Sequence, residues 1–173
     1  MRYFRGITYW DDLLEALEDE NNGLLRKLLG SLMAMDRTQR LQAIKYYAFW
    51  GHQTFYALLR LLVLLGKRGR TYGGHEVFRA MNEAFLDTIQ GTPDEIRRFS
   101  TVFRYYPRLT YSYLSMLDGD ELRMLHRKLS GEVWDQQVAR WQECLCRLCD
   151  ILLKSSRFFH RAIDRMCEWD PRY

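Results

Sequence analysis

The chain has 173 residues, of which 47 % are hydrophobic and 28 % charged, and a formal net charge of +4, a composition that excludes a disordered tail and is typical of a globular protein. The N-terminal segment lacks the apolar core and cleavage site of a secretory signal, and the most apolar segment, 54–65, is too short to span a bilayer. We therefore expect a cytoplasmic protein, without a membrane partner, that forms one helical domain over residues 1–173.

Apolar residues recur at helical spacing from the N-terminus onwards, and strand patterns are nearly absent. Thr8, with Asp11 three residues later, is expected to cap a first helix, and Asn22 a second. A third helix is predicted over 38–49. The helix predicted over 52–65 is apolar on nearly every side, so we expect it to pack centrally.

The segment GKRGR at 66–70 combines two glycines with three cations, which predicts an exposed basic loop. A helix over 75–89 follows it. Capping boxes at 92–95 and 118–121 begin two further helices. The remaining predicted helices cover 109–117, 132–154 and 155–169. The fold class is therefore all-α, a bundle of about eight to ten helices in which the segment 66–74 can join two lobes.

Charge is sorted along the chain. Segments 1–20 and 76–95 each carry −4, whereas 21–75 carry +8, 96–117 carry +4 with no acidic residue, and 118–173 are neutral. The two basic segments, 21–75 and 96–117, are where a polyanion is expected to bind. The candidate cations are Arg26, Lys27, Arg60, Lys67, Arg68, Arg70, Arg97, Arg98, Arg104 and Arg108, and the candidates for stacking on unpaired bases are Tyr72, Tyr105, Tyr106 and Tyr111. The alternative is that the cations are ordinary solvated faces and the tyrosines belong to the core.

The helix predicted to begin at Pro93 has its apolar residues on one face and its arginines on another. Its spacing places four apolar residues on one buried face: Ile96, Phe99, Phe103 and Tyr106. Arg97 and Arg104 project from another face, with Thr101 between them. A groove that follows a phosphate backbone fits this pattern better than recognition of base edges, because no DNA-reading motif is present.

Arg60 is the single cation inside the apolar helix 52–65. A charged side chain there is costly unless it is paired or reaches water. Two outcomes are open: an ion pair with an acid of the first helix, such as Asp12 or Glu15, or emergence beside Lys67, which lies seven residues later on the same face.

Motifs that carry catalysis are missing from the sequence. There is no His-Glu-x-x-His pattern, no Gly-x-Ser-x-Gly elbow and no phosphate-binding glycine loop, so we expect a protein that is not an enzyme and needs no cofactor. Cys144, Cys146 and Cys149 suggest a metal site completed by His160 or Cys167, but cysteines at this spacing do not share one helix face. Reduced thiols that pack within a helix are the favoured interpretation.

Four stretches of the chain resemble the small helical subunit of type I-E CRISPR Cascade surveillance complexes. GLLRKLLG (23–30) is similar to an early helix of that family, and HQTFYALLRLLVLLGKRG (52–69) is similar to its central apolar helix and basic loop. The segment Val77 to Met81, with Arg79, is similar to its short Gly-Arg-Ala-Leu helix, and DEIRRFSTVFRYYPRLTYSYLSML (94–117) is similar to its Arg-Arg-Phe helix.

The resemblance implies a non-catalytic helical bundle, present in two copies, that contacts guide RNA, target DNA, the displaced strand and other subunits of the complex. It implies nucleic-acid contacts for Arg26, Lys27, Arg60, Arg79, Arg97 and Arg98. In such complexes, base pairing with the guide RNA recognises the target sequence, so the protein need only bind the nucleic-acid backbone. A different class of function stays open, a helical protein-interaction module that binds a partner helix in an apolar groove. Its anchors would be Trp10, Trp50, Trp141 and Trp169.

Overall fold

The computed structural model describes residues 2–19, 22–49, 52–72, 75–131 and 135–154. These residues form nine α-helices and no strand, which confirms the predicted all-α fold class. The helices are α1 (Arg2–Asp19), α2 (Asn22–Ala34), α3 (Arg37–Phe49), α4 (His52–Tyr72), α5 (His75–Thr88), α6 (Pro93–Tyr105), α7 (Pro107–Ser115), α8 (Gly119–Leu129) and α9 (Gln136–Lys154). None of the helices in these ranges is both long enough and apolar enough to cross a bilayer.

Packing divides the chain into two compact units, Met1–Thr88 and Ile89–Tyr173. The division falls after α5 and not near 66–74, where the sequence placed it. The basic loop predicted at 66–70 is wrong, because α4 continues through this segment to Tyr72. Gly66 is buried against its neighbours, and such packing outweighs the low helix propensity of glycine. That the whole chain forms a single domain stays a prediction.

The first unit is organised around α4. This helix packs on α1, α3 and α5, and α1 also packs on α2. Residues on most of its circumference are buried, so the predicted central position is confirmed. Phe55 of α4 meets Phe85 of α5 with 6.0 Å between ring centroids. The cap predicted at Thr8 is wrong, because α1 begins at Arg2 and no proline interrupts the residues between them.

The helix starts predicted at Thr92 and Asp118 are confirmed, but only the second forms a full capping box, because the Glu95 carboxylate accepts from the Gln90 N–H and the Thr92 hydroxyl and not from the Thr92 N–H. Thr92 is the N-cap of α6, with the Glu95 backbone N–H donating to the Thr92 hydroxyl at 3.4 Å and proline at the first helical position. Asp118 caps α8, where the Glu121 N–H donates to Asp118 Oδ1 at 2.8 Å and the Asp118 N–H donates to Glu121 Oε1 at 3.2 Å. These side chains satisfy backbone donors that the helix itself leaves unpaired.

The core of the second unit lies between α6, α8 and α9. α9 packs against both other helices, and α7 packs on α6. Phe103 of α6 meets Trp141 of α9 edge to face at 5.5 Å between centroids. Such contacts add to the stabilisation that apolar burial supplies. The buried face predicted for Ile96, Phe99 and Phe103 is therefore confirmed.

Two features of the second unit contact the C-terminal end of α8: the side chain of Gln142 and the backbone at Gly91. The amide of Gln142, which is buried on α9, donates to the carbonyl oxygens of Leu129 and, at 3.1 Å, of Gly131. Gly91, in the turn before α6, has a φ of +74° and lies so close to α8 that a Cβ there would sit 3.0 Å from the Lys128 carbonyl oxygen. Only glycine adopts this backbone conformation without strain.

Candidate nucleic-acid interface

Four arginines of the second unit, Arg97, Arg98, Arg104 and Arg108, form what we call the basic strip. They lie on α6 and at the start of α7, in the acid-free segment 96–117. The opposite face of α6 is buried, which directs the strip away from the core. Arg97 and Arg108 are exposed, whereas Arg98 and Arg104 are half-buried. The Thr101 hydroxyl, between Arg97 and Arg104, donates to the Arg97 carbonyl oxygen at 2.7 Å.

Three of the four arginines of the strip lack the ion pairs that several other arginines form. Among the described residues, no carboxylate forms an ion pair with Arg97, Arg104 or Arg108. Several exposed arginines elsewhere, although not Arg127, have acidic partners: Arg37 pairs with Asp87, and Arg147 with Glu143 at 2.7 Å. The hydrogen bond that Arg37 donates to the Asp87 carboxylate raises the pKa of Arg37 above its usual value. Within the described part of the chain, the positive charge of Arg97, Arg104 and Arg108 is therefore not compensated by an ion pair.

Arg104 is held by an aromatic ring. Its guanidinium carbon lies 5.4 Å from the centroid of the Tyr105 ring, a cation–π distance. Its Nε is buried and has no hydrogen-bond partner among the described residues. Arg104 also stands in the last turn of α6, where a cation interacts favourably with the helix dipole. The Tyr105 ring and the C-terminal end of α6 together hold the guanidinium of Arg104 in place. No acidic side chain among the described residues forms an ion pair with it.

Tyr105 and Tyr106 are the exposed aromatic side chains of this region, with 55 % and 47 % of their surface accessible. The prediction that Tyr106 belongs to the buried face is wrong. α6 ends at Tyr105, and Tyr106 has a φ of −135° and a ψ of 63°, so the helical spacing no longer applies to it. Tyr111 is half-buried, and this burial raises its pKa. The side chain of Tyr72 lies outside the described residues.

The first unit carries the other predicted cations on three helices. Arg26 and Lys27 are exposed on α2, and Lys67 is exposed on α4. Arg79 on α5 is half-buried, with its guanidinium carbon 5.8 Å from the centroid of the Phe78 ring. The side chains of Arg68 and Arg70 lie outside the described part of the chain.

Arg60 of α4 pairs with Glu18 of α1. Of the two outcomes open from the sequence, the ion pair with the first helix is the one observed, although its acid is one turn beyond Glu15. The two side chains are 45 % and 34 % exposed, so the pair is solvated and contributes little to stability. A nucleic-acid contact by Arg60 would have to compete with this carboxylate.

Sequence reasoning missed a cleft between α8 and α9, with a volume of about 510 Å³. There, His126 Nε2 lies 3.5 Å from Asp150 Oδ1, and the Ser130 hydroxyl lies 3.5 Å from His126 Nδ1 while it donates to the His126 carbonyl oxygen at 2.7 Å. Arg123 pairs with Asp120 at its edge. The contact between His126 and Asp150 depends on the packing of two helices, which no local spacing indicates.

The late cysteines are packed within α9. Cys144 and Cys149 are buried and Cys146 is half-buried. Burial raises the pKa of all three thiols, that of Cys149 to about 12. Protonated thiols are poor nucleophiles and poor metal ligands. Within the described ranges, no three metal-ligating side chains converge, and His160 and Cys167 lie outside those ranges.

Alkaline pH is expected to destabilise the second unit through Cys149. Its thiol ionises near 9.0 in the unfolded chain and near 12 in the folded one. Between these values the unfolded chain has released a proton that the folded chain retains, so stability is complete below pH 9 and falls as pH rises. We expect urea denaturation to show a loss of about 1 kcal/mol between pH 9 and about pH 10 from this group. Cys149→Ala should reduce the slope of the curve over this interval, and the slope that remains comes in part from Cys144 and Cys146, whose pKa values are also raised; a parallel curve would contradict the assignment.

Two of the four tryptophans suggested as partner anchors are described, and both are buried. Trp10 is 1 % exposed inside the first unit and Trp141 is 8 % exposed inside the second. Their rings fill the cores of their own units. Trp50 and Trp169 lie outside the described residues.

Comparisons with family models, with curated proteins and with solved structures give no match to this chain. The resemblance to the small Cascade subunit therefore stays a prediction that depends on the four stretches quoted above.

Proposed function

We propose that this chain is a non-catalytic nucleic-acid-binding subunit of a CRISPR-guided surveillance complex. In this role it contacts guide RNA and target DNA and stabilises the displaced strand through basic side chains. Other subunits of the complex, and a second copy of the chain, are its proposed protein partners. The assignment to a CRISPR complex depends on the sequence resemblance, whereas nucleic-acid binding is also supported by the charge of the second unit.

The basic strip is the observation that carries the proposal. Arg97 and Arg108 are exposed, have no acidic partner among the described residues, and lie within 22 residues of sequence, 96–117, that contain no acid. Binding of such cations to phosphates releases condensed counterions, which favours association and makes it depend on salt. Arginine also presents a planar fork that matches phosphate oxygens.

Charge reversal in the strip is expected to weaken binding. In Arg97→Glu/Arg108→Glu, the affinity for a fluorescent single-stranded DNA should fall about tenfold at about 50 mM salt, since two phosphate contacts are lost. The slope of log affinity against log salt should fall by about 1.5 for the same reason. Fluorescence anisotropy over a salt series measures both quantities.

Arg127→Glu/Lys154→Glu is the matched control. It makes the same change in net charge within the second unit, at two exposed positions outside the strip. Its affinity should stay within about twofold of the unaltered protein. An equal loss in both variants, or no measurable binding by the unaltered chain, would overturn nucleic-acid binding by the strip. A gene located away from CRISPR repeats and effector genes would overturn the CRISPR assignment alone.

A further inference from the structure

Few of the large hydrophobic side chains that the structure describes are exposed. Four are found among the described residues, and two of them, Tyr105 and Tyr106, are adjacent at the junction of α6 and α7. The other two, Leu24 and Met33, lie on α2 in the first unit. An exposed pair of aromatic rings beside cations is a different surface from an isolated exposed leucine, which needs no explanation.

The junction holds its two tyrosines in a defined backbone. Pro107 excludes the helical conformation for the residue before it, so α6 ends and Tyr106 turns outward. The Tyr106 N–H donates to the Val102 carbonyl oxygen at 2.7 Å, and the Tyr106 carbonyl oxygen accepts from the Thr110 hydroxyl at 3.2 Å. Pro107 and Thr110 are themselves buried. Tyr105 and Tyr106 therefore project from an anchored backbone and not from a loose loop.

Within the segment 96–117, every charged side chain is positive. Arg104 stands over the Tyr105 ring at 5.4 Å, and Arg108 is exposed directly after Pro107. The acids nearest in sequence are Glu95 and Asp118, and both act in helix caps. Aromatic faces with adjacent cations are the combination that binds unpaired nucleotides, with the base on the ring and the phosphate on the cation.

We infer that the Tyr105–Tyr106 corner is a stacking site for unpaired bases, so that the chain prefers single-stranded nucleic acid to duplex. This inference rests on the proposed function and specifies its ligand. In a duplex the bases already stack on one another and must be unpaired before they reach a side chain. Phosphate contacts by the strip alone would give no such preference, because both forms present phosphates.

Three oligomers of equal length test the inference: oligothymidylate, an abasic strand with the same phosphates, and a duplex. Fluorescence anisotropy should show the abasic strand binding about tenfold more weakly than oligothymidylate, which is the contribution of one stacked base. Tyr105→Ala/Tyr106→Ala should remove this difference and leave the abasic affinity unchanged. Tyr105→Phe/Tyr106→Phe keeps both rings and should restore it.

Leu24→Ala/Met33→Ala is the control for loss of exposed apolar surface, and it should leave the preference intact. Equal binding of oligothymidylate and the abasic strand would overturn the stacking site while nucleic-acid binding by the strip still stands. Binding of none of the three oligomers would overturn the proposed function as well. A preference that survives the double alanine variant, with far-UV circular dichroism showing a folded protein, would place stacking elsewhere and also overturn the inference.

Discussion

Replacement of Gln142 by leucine is expected to lower the free energy of unfolding by about 2–4 kcal/mol. The Gln142 amide donates to the carbonyl oxygens of Leu129 and Gly131, and it is 6 % exposed. Leucine fills a similar volume but has no donor, so two carbonyl groups at the end of α8 lose their partner in a place that water reaches poorly. Urea denaturation followed by circular dichroism measures the loss.

Gln136→Leu is the control for this prediction. Gln136 is exposed on the same helix, so its replacement should change the free energy of unfolding by less than about 0.5 kcal/mol. A similar loss in both variants would mean that removal of glutamine, and not of the hydrogen bonds to α8, is responsible.

Gly91→Ala is expected to destabilise the second unit by about 2–3 kcal/mol. The φ of +74° costs a residue with a Cβ about 1–2 kcal/mol, and the added carbon would lie 3.0 Å from the Lys128 carbonyl oxygen. Because that neighbour is backbone at the end of α8, it cannot rotate away as a side chain would. The midpoint of thermal or urea unfolding should fall accordingly.

Gly30→Ala provides a control of opposite sign. Gly30 lies within α2, and a Cβ there would meet nothing within 4 Å. Alanine at a helix interior position is favoured over glycine by about 0.5–1 kcal/mol, so this variant should be stabilised. Destabilisation by both substitutions to the same extent would argue against the left-handed conformation at Gly91.

The parts of the fold that follow from local chemistry were predictable from the sequence. Thr92 and Asp118 begin their helices as predicted, because a capping side chain and the backbone N–H that donates to it lie within four residues of one another. The continuation of α4 through Gly66 was not predictable, since it depends on burial against other helices. The same holds for the division after Thr88, which no linker composition marks.

The candidate interface shows the same limit. The acid-free segment 96–117 was visible in the sequence, and the absence of an ion pair from Arg97 or Arg108 to any carboxylate that the structure describes agrees with the charge pattern. Helical spacing predicted Tyr106 in the core because the pattern of apolar residues does not show that α6 ends one residue earlier, at Tyr105. The Glu18 partner of Arg60 comes from a helix about 40 residues away, and periodicity gives no information on such pairs.

The packing of α6 has a consequence for the order in which the protein takes shape during synthesis. The helices that pack around α4 all lie within the first 88 residues, so their contacts become available once that half has left the ribosome. α6, in contrast, buries its apolar face against α9, where Phe103 meets Trp141. Until α9 emerges, Phe103 lacks its contact with Trp141. The helix that carries Arg97 and Tyr105 is therefore fully packed only after the residues of α9, up to Lys154, have been translated.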